Sequence, residues 1–203
     1  MKRAMLLVGV VAMVVVVLST GVAFAATFNC IANRGCIGTN GPDTLNGSTG
    51  DDFMDAMQDD DELFGNEGHD SISGDAFAAP NNDTSTDGND LLEGGLGFDY
   101  LVGYGGADEL SGGDNGDFIF AEESSENEGE DIVNGGGGND FIQAIDQTKD
   151  TINSGKGKRD GVFFDKGIDT VANNCEFKNR FPVEQFSRAA SSGTKMVNTL
   201  RAR

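Results

Sequence analysis

Aspartate returns about every nine residues through most of this chain, and a carboxylate at fixed spacing is a donor for a hard cation. Aligned in blocks of nine, thirteen copies hold aspartate at their sixth position: Asp43, Asp52, Asp61, Asp70, Asp90, Asp99, Asp108, Asp117, Asp131, Asp140, Asp150, Asp160 and Asp169. Two residues after each stands an aliphatic residue or methionine: Leu45, Met54, Leu63, Ile72, Leu92, Leu101, Leu110, Ile119, Val133, Ile142, Ile152, Val162 and Val171. The fourth position is glycine in nine of the thirteen. The most regular copies are GGLGFDYLV at 94–102 and GGGGNDFIQ at 135–143.

These residue types dictate the elements that must position the carboxylates. Glycine-rich hexads let the backbone take positive φ and approach a ligand closely. The triplet after each turn is a very short strand whose middle side chain points inward. Turn and strand, repeated, wind a flattened coil with two nonapeptides per full turn. Odd copies then stack their aspartates on one edge and even copies on the other. The expected fold is all-β, a parallel β-roll (β-solenoid) with a flexible basic C-terminal tail. Neighbouring coils lie about 4.8 Å apart. Two bare carboxylates at that distance repel by roughly 1 kcal/mol in water and more at a protein surface. A cation relieves this. Carboxylate and carbonyl oxygens in an adaptable turn suit Ca²⁺ better than Mg²⁺, which demands strict octahedral geometry. The apolar core is one aliphatic side chain per nine residues, so folding coupled to calcium is expected.

The composition excludes other classes. Asp and Glu number 34 against 14 Lys and Arg, giving net charge -20 with no tryptophan. Nucleic acid is excluded as a partner, because phosphate binding needs a basic patch. One histidine, His69, cannot make an H-E-x-x-H zinc site, and no G-x-S-x-G occurs. His69 falls in a turn, where a solvated side chain is expected, and no enzyme is predicted within these residues.

The domain plan follows from the ends. Lys2 and Arg3 precede an apolar run to residue 25 that closes in Ala23-Phe24-Ala25. This reads as a signal peptide over 1–25, cleaved to leave no stable membrane span. Residues 26–37 form an N-terminal cap in which Cys30 and Cys36 close a disulfide, as suits an exported chain. The roll spans 38–177. Residues 178–203 form a tail with six basic residues and one acid. Phe181, Val183 and Phe186 at its start would cap the roll, with mobility beyond Ala190. Two insertions, 74–84 and 121–125, are expected as loops on an edge.

The copies match G-G-x-G-x-D-x-U-x, and residues 38–172 resemble the RTX, or hemolysin-type, calcium-binding nonapeptide repeat family. The resemblance implies a secreted bacterial β-roll in which turns two nonapeptides apart hold several Ca²⁺ ions. Its sixth-position aspartates and turn carbonyls coordinate the metal. That role falls on Asp43, Asp52, Asp61, Asp70, Asp90, Asp99, Asp108, Asp117, Asp131 and Asp140. Copies 56–64, 145–153 and later ones depart from the family pattern, because Asp59, Thr148 and Lys158 replace the fourth glycine. Residues 169–176 resemble the family's closing motif, whose cysteine pairs with one in the preceding turn. Ser154 stands at that place, which leaves Cys175 free or intermolecular. The implied function is a secreted, calcium-stabilised structural or surface module. The alternative is a cell-surface adhesive protein that binds cell-wall or extracellular polysaccharide, with calcium only structural.

Overall fold

A computed structural model describes residues 25–32, 34–75, 87–121 and 129–179. The signal peptide expected over 1–25, except Ala25, lies outside the described residues, as does the tail beyond residue 179. So do residues 76–86 and 122–128, which contain most of the two expected insertions.

Among the described residues every regular element is a strand, and all pairings are parallel. One sheet orders β1 (Ala26–Asn29), β3 (Asp43–Asn46), β5 (Glu62–Glu67), β7 (Leu91–Leu96), β9 (Glu109–Asp114), β11 (Ile132–Gly137), β13 (Thr151–Asn153) and β15 (Thr170–Val171). The other orders β2 (Gly35–Ile37), β4 (Phe53–Met57), β6 (Ser71–Asp75), β8 (Tyr100–Val102), β10 (Phe118–Phe120), β12 (Phe141–Ala144), β14 (Gly161–Phe164) and β16 (Phe177–Lys178). The chain alternates between the sheets at every turn. This is a β-solenoid with two nonapeptides per coil.

The eighth-position side chains set the register. Leu45, Leu63, Leu92, Leu110, Val133, Ile152 and Val171 align in one sheet. Cys36, Met54, Ile72, Leu101, Ile119, Ile142 and Val162 align in the other. From Leu45 to Val162 the aliphatic and methionine members are at most 1 % exposed. A slip of one residue would turn each of them out to solvent and bring a polar neighbour in, so the inward row holds the register.

Residues 26–37 supply the first strand of each sheet, with Cys30 and Cys36 joined by a disulfide at a Cα separation of 5.4 Å. Cys175 is a free, buried thiol in the core.

The structure moves the insertions. Placed between copies by the repeat pattern, they open inside turns instead. Gly74 and Asp75 still belong to β6, and Met57 pairs with Asp75. A Cβ at Gly74 would meet the Asp90 carboxylate and the Gly103 carbonyl, so Gly74 is the first residue of the turn that ends at Asp90. Buried Ala121 starts the turn that ends at Asp131 in the same way. The strand-end backbone up to Asp75 remains paired across coils. The loose copies at 145–153 and 155–163 are turns lengthened by one residue, beginning at buried Ala144 and Ser154.

Candidate metal centre

Each short strand begins where a turn ends, so the last turn residue sits at the edge of the roll with its backbone N–H directed along the stack. That donor finds the aspartate one coil later. On the odd edge Asp43 donates to Asp61 Oδ1 at 2.6 Å, Asp61 to Asp90 at 2.9 Å, and Asp90 to Asp108 at 2.9 Å. Asp108 then donates to Asp131 at 2.8 Å and Asp131 to Asp150 at 2.9 Å. On the even edge Asp52 donates to Asp70, Asp70 to Asp99, Asp99 to Asp117, Asp117 to Asp140 and Asp140 to Asp160, all within 2.8–3.0 Å. All ten aspartates of the expected ligand set are buried, and so are Asp150 and Asp160.

From Asp61 and Asp70 onward one oxygen of each ladder carboxylate is thereby used, whereas at the head of the stacks Asp43 Oδ1 accepts the Ala26 N–H at 2.8 Å and Asp52 Oδ1 is buried without a hydrogen-bond partner. The second oxygen decides the chemistry. Oδ2 of Asp61, Asp70, Asp90, Asp99, Asp117, Asp140, Asp150 and Asp160 is buried with no hydrogen-bond partner. A buried unsatisfied carboxylate oxygen is costly and calls for a proton or a cation. Burial, offset in part by the ladder N–H, pushes Asp61 and Asp117 up to about 8, and Asp70, Asp90 and Asp140 up to about 7. Asp99 and Asp160 rise for the same first cause.

Asp43 and Asp52 differ from the rest. Their second oxygens accept the backbone N–H and hydroxyl of Thr39 and of Ser48, at 2.6 and 2.9 Å in each turn.

The turn glycines keep open the space beside these oxygens. A Cβ at Gly94 would fall 2.6 Å from Asp99 Oδ2 and 2.5 Å from the Gly112 carbonyl oxygen. Carboxylate and carbonyl oxygens thus converge on the space beside Gly94. At the fourth position, Gly97 has φ +147° and a Cβ there would strike the Gly68 carbonyl. Hard oxygen donors in a flexible turn are the donor set of Ca²⁺. The residues fit the metal that the repeat pattern implies.

Several residues beside the two aspartate stacks escaped the sequence reading. Asp75, the second residue of the interrupted turn, is 2 % exposed and pushed up to about 10, first by burial and then by Asp90. Asn115, with φ 81°, is a further fourth-position replacement. Asp146 comes together with Asp131 and Asp150. Only the placement of the interrupted and lengthened turns could reveal Asp75 and Asp146. Fifth-position side chains form a second ladder: Asp51 accepts from His69 N–H at 2.9 Å, and His69 Nδ1 from Phe98 N–H at 2.8 Å. His69 is exposed, yet it ties two turns together.

No curated protein and no solved structure matches the chain. A family model described as RTX calcium-binding nonapeptide repeat (4 copies) matches residues 37–76, 84–119 and 127–144. That repeat is a calcium-binding structural unit rather than an enzyme family. The matched segments contain every aspartate of the expected ligand set, and the parallel coil and its two carboxylate stacks are what the repeat requires. Residues 37–144 of the chain belong to the RTX calcium-binding nonapeptide repeat family.

Proposed function

We propose that the chain takes up several Ca²⁺ ions along both edges and that the ions complete its folding outside the cell. Asp61, Asp70, Asp90, Asp99, Asp108, Asp117, Asp131 and Asp140 supply carboxylate oxygens, with turn carbonyls beside them. Asp43 and Asp52 serve the same edges after their Thr39 and Ser48 contacts rearrange. The observation that carries this reading is the row of buried, unpartnered Oδ2 atoms on each edge. Calcium would replace the protons that the buried carboxyls otherwise need at neutral pH. Export by residues 1–25 would deliver the chain to a compartment rich in calcium. The domain plan, with a roll over 38–177 and a basic tail over 178–203, belongs to the same proposal.

The test is far-UV circular dichroism during a Ca²⁺ titration, with Mg²⁺ as control. A cooperative gain of β signal with Ca²⁺ alone, reversed by chelator, is expected. Equilibrium dialysis showing no Ca²⁺ retained at millimolar free ion would overturn the reading.

A second reading, adhesion to cell-wall or extracellular polysaccharide, is favoured by an aromatic row on the outer face of the second sheet. Phe98 and Phe118 ring centres lie 5.4 Å apart, Phe118 and Phe141 5.7 Å, and Phe141 and Phe163 5.6 Å. Phe98 is 48 % exposed and Tyr100 42 %. Aromatic faces of this kind stack on apolar sugar faces. Retention on purified wall polysaccharide, lost in Phe98→Ser with calcium binding intact, is expected under it. Equal retention of both proteins would remove this reading.

A further inference from the structure

The turn that ends at Asp150 breaks the repeat, yet it brings together more carboxylates than a regular turn has. One oxygen each from Asp131, Asp146 and Asp150 lies within 4.8 Å of the other two. Asp131 and Asp150 are successive members of the odd-edge ladder, and Asp146 is an addition of this turn. Asp150 is fully buried, and its Oδ2 has no hydrogen-bond partner. Asp150 therefore brings to the cluster a carboxylate with one desolvated oxygen that is complete only with a cation or a proton.

The Asp146 carboxylate is held in place. Thr148, the residue after Gln147, which takes the positive φ of a fourth position at 78°, donates its N–H to Asp146 Oδ1 at 2.8 Å and its hydroxyl to Oδ2. Asp165 from the next coil accepts the N–H groups of Asp146 at 3.0 Å and Gln147 at 2.7 Å, which fixes the turn between coils. The nearby cation is directed elsewhere, since Lys149 pairs with exposed Glu130 at 3.4 Å.

We propose that Asp131, Asp146 and Asp150 form a three-carboxylate Ca²⁺ site at the end of the matched repeats, with Thr148 as its positioning residue. The site rests on the calcium-binding reading and adds a ligand that the nonapeptide does not contain. A regular site draws two ladder carboxylates and neutral carbonyls. Here a third negative donor replaces a carbonyl, and ligand charge is one of the quantities that sets Ca²⁺ affinity. The site fills at lower free calcium than the regular turns.

The test compares Asp146→Asn with Glu109→Gln in the whole protein by calorimetric Ca²⁺ titration. Glu109 is exposed on β9, and its substitution removes the same charge. The expected result is that Asp146→Asn loses the first-filling ion or weakens it about tenfold, as ligand-charge tuning predicts, while Glu109→Gln does not. Equal titrations for the two variants would overturn the site while leaving the calcium reading intact. A protein that binds no Ca²⁺ in any form would end both. If Asp146→Asn does not fold in saturating Ca²⁺, Eu³⁺ excitation spectra of the unaltered protein decide. The energy of the ion's ⁷F₀→⁵D₀ band falls as more carboxylates coordinate. A lower-energy band with the first equivalent of Eu³⁺, followed by a distinct band, supports the site. One band throughout overturns it.

Discussion

The two edges of the roll carry the same aspartate ladder but build it from different turns. The even edge is regular from Asp52 to Asp140, with successive aspartates 18, 29, 18 and 23 residues apart only because the odd edge absorbs the excess. Both insertions open in odd-edge turns, before Asp90 and before Asp131. The lengthened turn before Asp150 and the glycine-poor turn before Asp61 are on that edge as well, while the other lengthened turn, before Asp160, ends the even edge. The additional carboxylates, Asp75 and Asp146, stand there too. On the even edge every turn from the one ending at Asp52 to the one ending at Asp140 keeps six residues, with Gly97 over Gly68 and Gly136 over Gly113. The odd edge shows that a ladder held by backbone N–H and a shared core tolerates individual turns. Its irregularity brings in new ligands.

This contrast can be broken most severely at a glycine. Gly97→Ala on the even edge places a Cβ against the Gly68 carbonyl at φ +147°. A loss on the order of 2–4 kcal/mol is expected, from strain and overpacking together. On the odd edge, Asp59 occupies the same position with φ 76°. Asp59→Gly is expected to leave stability within about 1 kcal/mol. Denaturant melts in saturating Ca²⁺ would show both, and equal effects at the two edges would dissolve the distinction.

The core behind the edges should not distinguish them. Leu101 and Leu110 are each fully buried, one in either sheet. Truncation to alanine is expected to cost about 2–5 kcal/mol at each, with the two values close together. A large asymmetry in the melts would mean that one sheet carries most of the core.

Titration should also be common to both. Asp61 on the odd edge and Asp117 on the even edge are pushed up by burial to about 8 from an ordinary 3.8. A carboxyl with a folded value above its unfolded value binds protons more tightly when folded. The stability it lends is full below about pH 4 and is lost as pH rises through about 8. Metal-free protein is therefore expected to hold more β signal at about pH 5 than at about pH 8. Saturating Ca²⁺ removes the difference, because the ions replace the protons, and binding near neutral pH releases protons into weak buffer. Circular dichroism and a pH-stat measure the two effects. Metal-free spectra that do not change with pH would contradict the burial of these groups.

The smallest effect is expected from regularising the odd edge. Removing residues 76–86 joins Gly74-Asp75 to Asp87-Gly88-Asn89-Asp90, which restores a six-residue turn with glycine in fourth place. Loop closure depends weakly on length, so stability should change by about 1 kcal/mol or less. A collapse of the roll in thermal melts would show that the insertion is structural.

The sequence by itself determined the period, the inward aliphatic row, the two aspartate stacks and the calcium chemistry. Each follows from a residue type repeated in phase. A nonapeptide with one inward aliphatic and one turn-ending aspartate has few ways to bury the first and align the second. Tertiary structure alone decided the rest. It placed the extra residues inside turns, because the backbone of Gly74 and Asp75 is paired across coils whatever follows them in sequence. It separated Asp43 and Asp52 from the later copies through Thr39 and Ser48, contacts that depend on how each turn curls. It brought Asp146 to Asp131, fifteen positions earlier in the chain, because stacking sets which turns face each other and sequence distance does not.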